Sequence, residues 1–182
     1  MQQSKISVQD ICCIALMAAV TVVMAQISIP MPMGVPMTMQ TFAVTLAGVI
    51  LGSKRGGLSI LVYVLLGAIG LPVFAGFSGG LQNLVGPTGG FLISFPIMAW
   101  LIGIGVEKRK QTGMFILFLV LGTAVNYVIG VVMFCAIMHA SVTTAVAACV
   151  IPFIPTAIVK AVVAAILGLK IRDRLAVSMQ WA

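Results

Sequence analysis

The sequence predicts an all-α integral membrane protein, a bundle of six transmembrane helices with both termini cytoplasmic. Three observations carry that expectation. Charged residues make up 7% of the 182-residue chain against 62% hydrophobic ones, and the mean hydropathy of +1.24 leaves little surface suited to water. The apolar runs fall into six pieces between breakers, at about 7–28, 37–52, 57–71, 90–106, 113–138 and 146–169. A spanning helix needs about 20 mostly apolar residues, so several of these are short. Finally, the basic residues obey one orientation. Of ten Lys and Arg, Lys5, Lys54, Arg55, Lys108, Arg109, Lys110, Lys170, Arg172 and Arg174 fall on a single side if the amino terminus is inside. The acids Asp10, Glu107 and Asp173 fall there too, whereas five or seven spans would put a basic cluster outside. The whole chain, 1–182, reads as a single membrane domain.

The first span opens on Ser7 and Asp10, a hydroxyl and a carboxylate spaced for the first helical turn. The start, MQQSKISVQDICCIALMAAVTVVMAQISIP, runs to full span length and reads as a retained helix rather than a secretory signal. Ala15 and Ala19 repeat a small residue at i, i+4. Internal packing is the default reading, and a flat docking face for a partner helix is the alternative. The second and third spans flank the basic turn from Ser53 to Gly56. The fourth and fifth flank Glu107, Lys108, Arg109 and Lys110, too charged to sit in lipid. In the fifth, Gly122, Asn126 and Gly130 share one face, with Tyr127 alongside; Asn126 must meet protein or water, as a cavity wall or in an interhelical hydrogen bond.

The sixth span carries the anomaly. In PFIPTAIVKAVVAAILG, residues 152–168, Lys160 precedes Lys170 by ten positions, which puts it about 15 Å from the cytoplasmic boundary. An ammonium at that depth costs about 2.5–3.5 kcal/mol on insertion scales, and no span or outer loop supplies an acid to pair with it. One reading satisfies it with carbonyls freed by Pro152 and Pro155. The other makes it the wall of an outward-facing pocket for a polar or anionic small molecule.

The outer connection LPVFAGFSGGLQNLVGPTGG, residues 71–90, is long, glycine-rich and uncharged. It can fold back into the protein, where Gln82 and Asn83 would offer donors and acceptors to an amide-like or urea-like ligand; an ordinary surface loop is the alternative. The first outer connection, IPMPMGVPMTMQ (29–40), alternates prolines with methionines and suits either a lid or a lipid-contacting loop. Gln40, where the second span begins, can face the same cavity.

Other classes of function are poorly supplied. The formal charge of +7 is spread over short turns, without the basic stripe and interleaved aromatics of a nucleic-acid binder. No phosphate-binding loop, no Ser-His-Asp set and no metal-ligand spacing is present, and the single histidine, His139, lies near an outer turn. The cysteines at 12, 13, 135 and 149 sit in apolar runs and read as small core residues.

The strings VPMTMQTFAVTLAGVILGSKRGGLSILVYVLLGAIGLPVFAGFSGG, GPTGGFLISFP and PFIPTAIVKAVVAAILG resemble the biotin-specific S components of energy-coupling factor (ECF) transporters, the BioY family, over most of the chain. The resemblance implies a multi-pass protein of a bacterial plasma membrane. It further implies a subunit without enzymatic activity or cofactor that captures biotin from the outer side. A transmembrane coupling protein and two cytoplasmic ATPases would complete the transporter. Lys160 and the residues around Asn83 would then contribute to the biotin pocket, and Ala15 and Ala19 would match the A-x-x-x-A face toward the coupling protein. The family's P-G-D-x-x-K becomes Pro155-Thr156-Ala157-Ile158-Val159-Lys160 here, so the usual acidic partner of the lysine is missing. The alternatives are an S component for another vitamin and a membrane scaffold outside transport.

Overall fold

A computed structural model describes residues 7–31, 34–109 and 112–179. Lys5, Pro32, Met33 and Lys110 of the expectations above lie outside them. The architecture is a helical bundle: α1 (Val8–Gln26), α2 (Gln40–Ala68), the one-turn α3 (Leu81–Val85), α4 (Gly89–Glu107), α5 (Thr112–Met138), α6 (Val142–Cys149) and α7 (Ile154–Met179). A two-residue antiparallel ribbon pairs β1 (Ser28–Ile29) with β2 (Met37–Thr38) in the first connection, with Ser28 opposite Thr38. In lipid only closed hydrogen-bonding patterns survive, which is why long apolar runs become helices. Among the described residues five stretches are long and apolar enough to cross a membrane: α1, α2, α4, α5 and the stretch Val142–Leu175.

α1 starts where its capping residues dictate. Ser7 Oγ accepts from Asp10 N at 3.1 Å and Asp10 Oδ2 accepts from Ser7 N at 3.0 Å, a reciprocal capping box. α2 is a hairpin. Gly52 has φ +79°, a left-handed conformation open to glycine, and the chain folds back there: a Cβ added at Gly56 would stand 2.8 Å from Ala47 O. The expected basic turn at 53–56 is therefore the first turn of the second arm. Charge marks the edge of the bilayer, but Lys54 and Arg55 do not break a helix, whereas Gly52 does.

The arms, 40–51 and 53–68, are about 18 and 24 Å long. From Phe42 to Leu51 every residue of the first arm is buried, so it faces protein on all sides and forms the centre of the core with Ile60, Tyr63, Met98 and Ile102. α4 packs closely on it, since a Cβ at Gly48 would come within 2.6 Å of Ala99 O. α5 presents a buried stripe at helical spacing: Phe115, Gly122, Asn126 and Gly130 lean on α4, and Phe134 packs with Ala145, Ala148 and Cys149 of α6.

The last expected span, 146–169, differs from the structure. α6 ends at Cys149, a single 3₁₀ turn covers Ile151–Phe153, and α7 then runs on through Lys170, Arg172 and Arg174. Pro152 and Pro155 withhold two backbone donors at that break. The outer segment 71–90 also carries α3, and it is pinned to α1 by Gln26, whose Nε2 donates to Phe74 O at 3.1 Å while its Oε1 accepts from Phe77 N at 2.9 Å.

The three acids gather with the basic residues at one end. Arg55 Nε stands 2.8 Å from Asp10 Oδ1, and Arg109 Nη1 2.6 Å from Asp173 Oδ1. Glu107 Oε1 accepts from Ser53 N at 2.7 Å and from Ser53 Oγ at 2.8 Å, placing a carboxylate on the N-terminus of the second arm. Arg172 Nη1 donates to Ile50 O at 2.9 Å, a cation on the C-terminus of the first. Of the cysteines only Cys149 is buried, and Cys12 is exposed on the outward face of α1 rather than in the core.

Candidate binding site

At the other end, the helix termini and connections enclose a cavity of about 250 Å³. Its walls come from the first connection (Gly34, Val35, Pro36, Thr38), the start of α2 (Gln40, Thr41), the segment after it (Phe74, Ser78, Asn83, Thr88) and α4 (Phe91, Leu92, Phe95). Asn126 and Tyr127 of α5, Cys149, Phe153, and Ala157 and Lys160 of α7 close it. Most of the surface is aromatic or aliphatic, with a few polar groups among it, the pattern of a small-molecule site.

Lys160 faces this cavity, half-buried, and its Nζ donates to the main-chain oxygen of Thr38 at 2.8 Å. The carbonyl comes from the ribbon, not from the Pro152–Pro155 break. An ammonium carries three donors, and Lys160 makes no other hydrogen bond to the described residues, so two are left for a partner in the cavity that the side chain lines. Gln40 also lines the cavity, but its amide is engaged: Nε2 donates to Tyr63 Oη at 2.7 Å and Oε1 accepts from Thr38 Oγ1 at 2.8 Å. Thr38 thus ties the ribbon to both α2 and α7. It was not among the expected site residues, although it is the one hydroxyl in the string VPMTMQ.

Asn83 lines the cavity, with Nδ2 donating to Gly79 O at 2.8 Å and Oδ1 accepting from Ser78 Oγ at 3.2 Å. Gln82 does not. It is exposed, and its Nε2 turns back to Gly79 O at 2.6 Å, because consecutive residues of α3 point about 100° apart. Asn126 is 2% exposed and serves both roles foreseen for it. Its Nδ2 bonds α4 at Phe91 O (3.0 Å) and Ser94 Oγ (2.8 Å), while the residue still contributes to the cavity wall. Tyr127 sits beside it, edge-on to Phe91 with ring centroids 6.4 Å apart.

The aromatic lining gave no signal in the sequence beyond its composition. Phe74 is held by Gly67, where any Cβ would run into its ring, and by an edge contact with Tyr63 at 5.6 Å. The G-P-T-G-G string has a local cause as well: Thr88 lines the cavity, and a Cβ at Gly90 would stand 2.6 Å from Ile129 O, so α4 and α5 meet backbone to backbone there. Ala15 and Ala19 lie away from the cavity, exposed along the face of α1 that also carries Ile11, Leu16 and Val23. Internal packing falls to Ile14, Met17 and Ala18 instead. His139 is exposed at the end of α5.

Comparisons with known proteins agree with this arrangement. A crystal structure described as the S-component for biotin from an ECF-type ABC transporter superposes with a TM-score of 0.85, at 26% identity and over 95% of each chain. Biotin transporter BioY of Thermotoga maritima is 42% identical over 154 residues, covering 85% of this chain and 90% of that protein. Biotin transporter BioY of Rhodobacter capsulatus is 37% identical over 168 residues, covering 85% and 88%. The family model of the BioY family matches residues 1–177, and this multi-pass membrane chain belongs to that family.

Proposed function

We propose that this chain is the biotin-capturing subunit of an ECF uptake transporter in a bacterial plasma membrane. Its cavity faces the outer side, and the end that gathers Arg55, Glu107, Arg109 and Arg172 faces the cytoplasm, in keeping with the positive-inside rule. The observation that carries the reading is Lys160: an ammonium in an apolar cavity, with one main-chain partner and no acid beside it. A carboxylate supplies what that nitrogen lacks. Biotin ends in one, joined by an aliphatic chain to a fused ring system with a polar urea, and a mostly apolar cavity with few polar groups suits such a molecule.

Asn83, Gln40, Asn126 and Tyr127 line the rest of the ligand site, and Gln82 supports the loop. Transport would need a coupling protein, docked on the exposed Ala15–Ala19 face of α1, and two cytoplasmic ATPases, since the sequence has no phosphate-binding loop of its own. Calorimetry on the detergent-solubilised protein tests the capture step, with a nanomolar or tighter dissociation constant for biotin as the expected result. A millimolar constant rejects it, and a panel of other vitamins competing against biotin detects a different cargo.

A further inference from the structure

Asn126 is anchored in a way that fixes which of its atoms the cavity sees. A side-chain amide can be turned about, exchanging its oxygen and nitrogen, so its orientation must be read from its neighbours. Here the neighbours decide it. Phe91 O is a carbonyl and can only accept, so the Asn126 atom 3.0 Å from it is the NH₂ donor. The second contact agrees, because Ser94 Oγ already gives its proton to Gly90 O at 2.8 Å and can only receive at 2.8 Å from the same nitrogen. Main-chain carbonyls of α4 thus set the polarity of a short chain that runs from Asn126 through Ser94 to Gly90.

Both amide protons are thereby committed to α4. The remaining atom, Oδ1, takes no hydrogen bond from the described residues. Nor is it sealed inside the protein. Among the described residues it is not one of the fully enclosed side-chain atoms that lack a hydrogen-bond partner, so the Asn126 oxygen keeps some accessible area, and the residue lines the cavity. A side chain only 2% exposed therefore turns a bare acceptor toward the cavity.

We infer that Asn126 is an acceptor-only specificity determinant, requiring of the ligand an N–H donor at the α5 wall while Lys160 takes its anionic end at the α7 wall. This rests on the biotin reading and adds to it a direction for the ligand: the urea N–H toward α5, the carboxylate toward α7. An acceptor fixed in this way rejects an isostere whose N–H is replaced by an oxygen. The protein must then hold two lone pairs face to face, and the amide cannot rotate to relieve them without losing both bonds to α4. Lys160, with donors alone, discriminates in the opposite sense.

The test uses biotin and its two cyclic carbamate analogues, in each of which one ring N–H of the urea is replaced by oxygen. Affinities are compared in the wild-type protein, in Asn126→Leu and in Asn126→Ala. Leucine keeps the branched shape, and Phe91 O and Ser94 Oγ retain partners within α4, so the bundle should stay folded, as a thermal melt checks. In the wild-type protein one carbamate should bind about 10- to 100-fold more weakly than biotin. In the variants that ratio should fall to within about threefold, because biotin alone loses a partner.

A ratio unchanged in a folded variant overturns the role of Asn126 and leaves biotin capture standing. If neither variant folds, equal binding of biotin and both carbamates by the wild-type protein overturns it, and a single disfavoured isomer supports it. Failure of the wild-type protein to bind biotin at all removes the cargo assignment and this inference with it.

Discussion

Replacing Lys160 with methionine separates the binding role proposed for this residue from its part in folding. Methionine keeps an unbranched stem of similar length and deletes the ammonium. The fold loses one charge-assisted hydrogen bond, from Nζ to Thr38 O at 2.8 Å, worth about 1.5–3 kcal/mol. It is also relieved of about 2.5–3.5 kcal/mol, the insertion cost of a cation near the middle of a spanning helix. These nearly cancel, so the melting temperature should move little in either direction. Binding has no such compensation. A ligand carboxylate left in a mostly apolar cavity without its cation should cost about 2–5 kcal/mol, or about 30- to 5,000-fold in Kd. Calorimetry with biotin and with its primary amide isolates the charge: the wild-type protein should prefer the acid, and Lys160→Met should lose that preference. A biotin Kd within threefold of wild type would refute the reasoning. So would equal losses for acid and amide, since the ammonium would then merely shape the cavity.

Four further outcomes follow from the geometry. Asn83→Ala should weaken biotin binding by about 1–3 kcal/mol, the cost of an unpaired buried polar group, whereas Gln82→Ala should leave Kd within about twofold because that side chain is exposed; calorimetry on both distinguishes the neighbours. Gly67→Ala drives a methyl into the Phe74 ring, so the melting temperature should drop by the equivalent of about 1–3 kcal/mol, with weaker binding where Phe74 shifts. Gly52→Ala forces a left-handed alanine, at about 1–2 kcal/mol, and crowds Glu107 Oε1, which a Cβ would approach to 2.7 Å; a thermal melt should show the loss while biotin affinity, set at the other end, stays put. Ala15→Leu combined with Ala19→Leu should leave biotin affinity unchanged and abolish co-purification with a coupling protein and its ATPases.

The helical content was legible because lipid leaves the backbone few options: an apolar run of sufficient length with no partner strand closes its own hydrogen bonds. Hydropathy locates those runs, and the Ser7–Asp10 spacing locates one helix start to within a residue. Turns are less legible, because polarity and backbone conformation are separate properties that need not coincide. At 53–56 the charges mark where the chain leaves the apolar layer, yet the reversal happens at Gly52, the residue able to take φ +79°. What holds that reversal comes from afar: Glu107 lies 54 residues beyond Ser53 and Arg172 more than a hundred beyond Ile50, and neither pairing leaves a trace in local spacing.

The site divides along the same line. Lys160 stood out because its cost is intrinsic to one residue in one medium, so a single position carries the signal. Asn83 and Gln82 were indistinguishable until α3 supplied a register that turns one inward and the other out. Thr38 carries no comparable signal. The group that receives the lysine is its main-chain oxygen, and every residue owns one of those; its position depends on the Ser28–Thr38 pairing of a ribbon two residues wide. A lysine without an acid is therefore not a lysine without a partner. The ribbon offers it a neutral oxygen that holds the nitrogen in place and leaves its charge uncompensated, and that remaining charge is what an incoming carboxylate can meet.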